Sequence, residues 1–132
     1  MDERRWNYFA RLVYESGRIR ESGESKAVII AGDRPHVILT VSNEIIHGYD
    51  ESPMFEALQE YFRSEYTFGD PGGITIFSSY FPHMDEVKMI VQSPLRNLCF
   101  WGDLDDPETV DFINNHSKIY SGSGLNITNL KK

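Results

Sequence analysis

The sequence predicts an α/β domain in which a mixed sheet of four or five strands carries helices on both faces, a three-layer α/β/α arrangement. Three observations predict it. Apolar residues recur at helical spacing in four separate stretches, with short apolar or β-branched runs between them, in the order helix, hairpin, helix, strand, helix, strand, helix. Crossovers of this length feeding buried strands require at least part of the sheet to be parallel. Finally, 132 residues of which 40% are apolar fill one core but not two, so residues 1–132 read as a single domain.

The elements follow in order. Trp6, Phe9, Ala10, Val13 and Tyr14 mark one face of a helix over residues 3–16, and Gly17 supplies its stop. Residues 18–25 are polar, contain Gly23 and read as a loop or short turn. Residues 27–31 are continuously apolar and residues 37–41 are rich in β-branched side chains. The Gly32-Asp33-Arg34-Pro35 connection makes the two runs an antiparallel hairpin. Residues 43–53 are mixed in character. A second helix then starts near Met54, its face marked by Met54, Phe55, Ala57, Leu58, Tyr61 and Phe62, with Ser52 to cap it and Pro53 costing little at its first turn. Residues 68–73 form a turn, residues 74–80 a third strand, and residues 82–92 a third helix that buries Met84, Val87, Ile90 and Val91. Residues 98–101 form a fourth strand. An acidic turn over residues 103–106 precedes a fourth helix from Pro107 to about Asn114. The tail, residues 121–132, is rich in Ser, Gly and Asn; it is either flexible or contributes a short edge strand through Leu125 and Ile127.

Charge and cysteine usage narrow the function classes. Twenty acidic against 13 basic residues give a net charge of -7, which favours solubility and opposes binding to a nucleic-acid backbone, while leaving a small nucleobase-like ligand open. Cys99 is alone, so neither an intrachain disulfide nor a multi-cysteine zinc site can form. No stretch approaches the roughly 18 to 20 apolar residues of a membrane span, and the first residues do not read as a secretory signal. A reducing, cytoplasmic location with no membrane partner is the expectation.

Particular residues add a resemblance. Residues 39–42 are followed by Asn43, Glu44, Ile45 and Ile46. Asp50, Glu51, Ser52, Pro53, Met54, Phe55 and Glu56 lead into the second helix. Residues 74–80 run into Phe81, Pro82, His83, Met84, Asp85 and Glu86, and residues 89–95 and 98–102 supply the next helix and strand. In pattern and order, over residues 27–102, the chain resembles the cytidine-deaminase-like superfamily, particularly its guanine deaminase and tRNA adenosine deaminase branch. That family has an Asn at a strand end, an Asp-Pro-Thr-Ala-His-Ala-Glu stretch opening one helix and Pro-Cys-x-x-Cys opening the next. The resemblance implies a deaminase-like cleft, with Asn43 contacting a ligand and two helix N-termini converging near Met54 and Pro82. It also implies an assembly of like subunits, most simply a homodimer.

The departures from the family bear on activity. In one register the family's zinc ligands correspond to Met54, His83 and Glu86, with Glu56 in place of its proton-shuttling Glu. In a second register, slid by two residues, Ser52 takes the first ligand position and Met54 that of the Glu. A thioether or a hydroxyl is a poor partner for zinc, which prefers thiolate, imidazole or carboxylate. Both registers therefore imply that the family's metal site is missing, and no cofactor is expected.

Each candidate residue also has a plainer role. His83 and Glu86, three apart at a helix start, are either an altered metal pair completed by Glu56, Asp85 or His47, or a helix N-terminus with acidic residues complementing its dipole. Glu56 is a catalytic relic or an exposed helix Glu; Asn43 a ligand contact or a loop cap. Trp101 and Phe100 stack on a ligand or belong to the core. Asp103, Asp105 and Asp106 attract a cation or form a solvated turn. The leading expectation is a catalytically silent deaminase-fold protein acting by binding a protein partner or a small nucleobase-like ligand. The alternative is an enzyme reusing the cleft, with His83 as base and Glu56 or Glu86 beside it, or with His83 as ligand of an altered metal site.

Overall fold

The computed structural model describes residues 1–17, 19–20, 23–24, 26–42, 52–64, 68–102, 106–119 and 125–131, with only the backbone described at 19–20, 23–24 and 116–119. The elements are α1 (Glu3–Ser16), β1 (Ile19–Arg20), β2 (Gly23–Glu24), β3 (Lys26–Ala31), β4 (Val37–Ser42), α2 (Pro53–Ser64), β5 (Thr75–Ser78), α3 (Met84–Gln92), β6 (Asn97–Phe100), α4 (Pro107–Ile119) and β7 (Asn126–Asn129). A single 3₁₀ turn, Pro71–Gly73, precedes β5. Strands β3 to β7 form one sheet in the order β4-β3-β5-β6-β7, while β1 and β2 pair separately as an antiparallel couple. The hairpin β3–β4 is antiparallel, β3–β5 antiparallel, and β5–β6 and β6–β7 parallel, so the sheet is mixed as the sequence predicts.

Alternation along β3 explains why that strand reads as continuously apolar. Ala27, Ile29 and Ala31 face α1 together with Phe77 and Cys99, while Val28 and Ile30 face the opposite layer with Ile76, Leu98 and Phe100. Successive side chains point to opposite faces, and both faces are covered. Helix α1 buries Phe9, Ala10 and Val13 on one side. On the other side α2 lies over β3 and β4, next to α3, which in turn packs on α4.

Differences from the sequence reading are local. Strand β5 ends at Ser78, not Tyr80, because the Ser78 hydroxyl accepts from the Tyr80 N–H and donates to the Tyr80 carbonyl, turning the chain. Helix α3 starts at Met84, with Pro82 and His83 leading into it, and α4 runs to Ile119, past the expected end near Asn114. The stretch read as a loop over residues 18–25 contains the small β1–β2 pair, and the tail contributes β7.

Candidate functional site

The N-termini of α2 and α3 come together over the ends of β3 and β5. Ser52 caps α2: its hydroxyl accepts from the Phe55 N–H at 3.1 Å, and Pro53 follows where a missing N–H costs nothing. At α3 the cap is His83, whose backbone N–H donates to the Glu86 carboxylate at 2.9 Å, the reach-back of a capping box.

Glu86 is the centre of the arrangement. Its side chain is 4% exposed. Besides the His83 N–H it accepts from the Ser52 hydroxyl at 2.6 Å and from the Tyr80 hydroxyl at 2.5 Å. Three donors meet one carboxylate, which is what a buried acid requires. Tyr80 is held in its neutral form: burial first, then the Glu86 charge and its hydrogen bond, push the phenol well above its ordinary range. The Lys26 ammonium lies 5.1 Å from the centre of the Tyr80 ring, a cation–π contact, and the His83 ring centre is 6.4 Å from that of Tyr80. Lys26, Ser52, Pro53, Phe55, Tyr80, His83, Asp85 and Glu86 line an open cleft of about 160 Å³. That is below the roughly 300 to 1,000 Å³ usual for drug-sized ligands, so the described walls suit a small ring or fragment.

The sequence candidates fall in different places. His83 and Glu86 are in the cleft, the first exposed and the second buried. Glu56 is exposed on α2 and does not line the cleft. Met54 is fully buried among the core residues, and Ser52, in place of Met54, stands against Glu86. Trp101 serves the α1 layer: its indole N–H donates to the Ala10 carbonyl at 2.9 Å and its ring lies 4.8 Å from that of Tyr14. Phe100 is core. Asp106 caps α4, accepting from the Thr109 hydroxyl at 2.6 Å. That bond is the main reason its carboxyl lies below the usual range, and the His83 charge contributes least. His36 packs edge-on against Phe68. Asn43, His47, Asp103 and Asp105 lie outside the described residues. Among the described residues no three His, Cys, Asp or Glu side chains gather as a metal set.

Lys26 and Tyr80 are the members of the cleft that sequence reading missed. Tyr80 carried one signal, a hydroxyl at the end of an otherwise apolar run just before Pro82. Lys26 carried none beyond opening a strand.

No family model matches the chain, and no curated protein matches it. Solved structures do. The dCMP deaminase from the cyanophage S-TIM5 in complex with dCMP and dUMP aligns at a TM-score of 0.67 with 11% identity, covering 98% of this chain and 99% of that one. The same enzyme in apo form aligns at 0.60 with 14% identity, covering 98% and 100%. The chain has the fold of these deaminases. Identity this low carries the fold and nothing of the chemistry.

Proposed function

We propose that this protein uses the deaminase fold for binding and does not deaminate hydrolytically. The observation that carries the reading is the Ser52–Tyr80–Glu86 network, which fills the convergence of the two helix N-termini with hydrogen bonds. Zinc does not fit there. Ser52 offers a neutral hydroxyl that already caps α2, and Glu86 could ligate only by giving up donors that neutralise a buried carboxylate. That leaves the His83 imidazole and the exposed Asp85 carboxylate in the cleft, fewer than the three protein ligands a catalytic zinc needs.

Attack on the amidine carbon of a nucleobase at neutral pH needs an activated water. Zinc deaminases obtain one by bringing the pKa of bound water from about 15.7 towards about 7. No side chain lining the cleft replaces that effect, and Glu56, the other carboxylate considered for proton transfer, points to solvent. What the cleft retains is a recognition surface: the Phe55 and Tyr80 rings, the Lys26 ammonium and the His83 imidazole around a small space. A nucleobase-like ligand, with Asn43 as a further contact, or a protein partner is the occupant this reading favours. A cytoplasmic homo-oligomer is its setting.

One observation favours a second reading. His83 is exposed in the cleft and could act as a base on a substrate more acidic than water. Ammonia release measured over a panel of dCMP, cytidine, adenosine and guanine separates deamination from the rest. We expect no release above the rate without protein, together with calorimetric binding of at least one ring compound that weakens in Tyr80→Ala. Ammonia release abolished by Glu86→Gln would overturn the binding reading.

A further inference from the structure

The polar groups of the cleft divide into those already engaged and those still available. The Glu86 carboxylate accepts from the Ser52 hydroxyl, the Tyr80 hydroxyl and the His83 N–H. The Ser52 hydroxyl in turn accepts from the Phe55 N–H, and the Pro53 carbonyl accepts from the Thr40 hydroxyl at 2.6 Å. A ligand could use these groups only by breaking a pairing around a buried charge, which is unfavourable.

What remains for a ligand is Lys26, His83 and Asp85, together with the Phe55 and Tyr80 rings. Lys26 opens β3 half-buried, and its ammonium lies 5.1 Å from the centre of the Tyr80 ring. A ring face attracts a cation without neutralising it. Among the described residues no carboxylate pairs with that ammonium. His83 is exposed, with its ring 6.4 Å from the same Tyr80 ring, centre to centre. Two nitrogen-bearing side chains thus adjoin one aromatic surface. Asp85 is the opposing charge, but it is exposed in the first turn of α3, where water screens it and the helix dipole complements it.

We infer that the cleft takes a single planar ring bearing a carboxylate, with the acid group on the Lys26 ammonium and the ring against Phe55 and Tyr80. The inference rests on the small-ligand reading proposed above and narrows it. Charge selects the acid. A carboxylate reaching Lys26 forms the ion pair that the described walls leave open, and beside two aromatic rings that pair is stronger than in bulk water. Size selects the single ring. A closed cavity of about 150 Å³ holds benzene, and the cleft, at about 160 Å³, is of that order. A second ring or a sugar would therefore lie outside the described walls. Asp85 sets a limit in turn, since a further negative charge on the ligand would approach its carboxylate.

Calorimetric titration of the full chain with two near-isosteric pairs tests this: benzoate with benzamide, and uracil-6-carboxylate with uracil-6-carboxamide. Each acid should bind at least about fivefold more tightly than its amide, the factor one close charge pair supplies even at the dielectric of water. Added salt should narrow the difference, since only the acid is screened. Lys26→Met keeps the stem and drops the charge, so it should bring each acid down to the level of its amide, while Lys26→Arg should retain the preference. Asp85→Asn, which removes the opposing charge, should widen it. The wild-type comparison and its salt dependence decide the matter even where a variant fails to fold. Amides that bind as tightly as their acids would overturn the inference and leave the cleft a ring-binding site. An acid preference that survives in Lys26→Met would overturn it as well. If neither member of either pair binds, the inference falls together with the small-ligand reading.

Discussion

A single hydroxyl does much of the joining in the cleft. Tyr80 leaves the end of β5 and donates to Glu86 on α3, while Ser52 brings the cap of α2 to the same carboxylate. Tyr80→Phe removes one donor from a buried charge and leaves the ring in place. We expect it to lower unfolding free energy by about 1.5 to 3 kcal/mol, the range for hydrogen bonds to charged groups, measured by urea denaturation. The pH dependence gives a second readout. Tyr80 has its folded pKa raised above the ordinary value of 10.0 by burial and by Glu86. Below that value the phenol is protonated in both states and its contribution is complete. Above it the unfolded chain loses the proton first, so stability falls as pH rises towards the folded pKa. The wild-type chain should therefore lose stability above about pH 10 more steeply than Tyr80→Phe. Equal slopes would mean that the phenol is not held neutral by the fold.

At the scale of elements, α1 is fixed to the sheet by close approach as well as by apolar burial. Gly17, just past its end, lies so near Ser79 that a Cβ would overlap the Ser79 side chain. Ser79 cannot simply turn aside, because its hydroxyl accepts from the Ala27 N–H at 2.9 Å and its own N–H donates to the Ala27 carbonyl. Gly17→Ala should thus cost about 1 to 3 kcal/mol by overpacking, although alanine is the better helix former. A neutral or stabilising result in thermal melts would show that α1 can slide without penalty. Most elements were legible in the sequence for a plain reason: the β3–β4 hairpin and the faces of α1 and α2 carry strong periodicity between clear turn residues. The end of α4 was not, since Asn114, Asn115, His116 and Ser117 are indifferent helix formers and yet lie within it. The register of α2 was more legible than it first reads. Met54, Ala57, Leu58 and Tyr61 fall at i, i+3, i+4 and i+7 and all are buried, which puts Met54 in the core and leaves Ser52 to face α3. The meeting of Tyr80 with Glu86 had no such signal, because it depends on where the chain turns at Phe81 and Pro82.

For the whole molecule, what holds the α2 and α3 N-termini together governs how it responds to metals. In the reading proposed above, the connection is made by side chains of this chain, Ser52, Tyr80 and Glu86, and each donor and acceptor is already matched. A ligand that binds only the folded state adds RT ln(1 + [L]/Kd), about 2.7 kcal/mol at a hundredfold excess over Kd, and its removal takes the same amount away. Protein purified without chelator should accordingly melt at the same temperature before and after exhaustive treatment with EDTA, and zinc added back should not raise the midpoint. Breaking the network from within should act differently. Glu86→Ala strands the Tyr80 hydroxyl, the Ser52 hydroxyl and the His83 N–H together, each costing on the order of 1 to 3 kcal/mol when left unsatisfied, so its midpoint should fall well below the wild-type value with or without zinc. A wild-type midpoint that drops on chelation and is restored by stoichiometric zinc would instead mean that the hydrogen-bonded cluster gives way to a metal, and the binding-only reading would have to be abandoned.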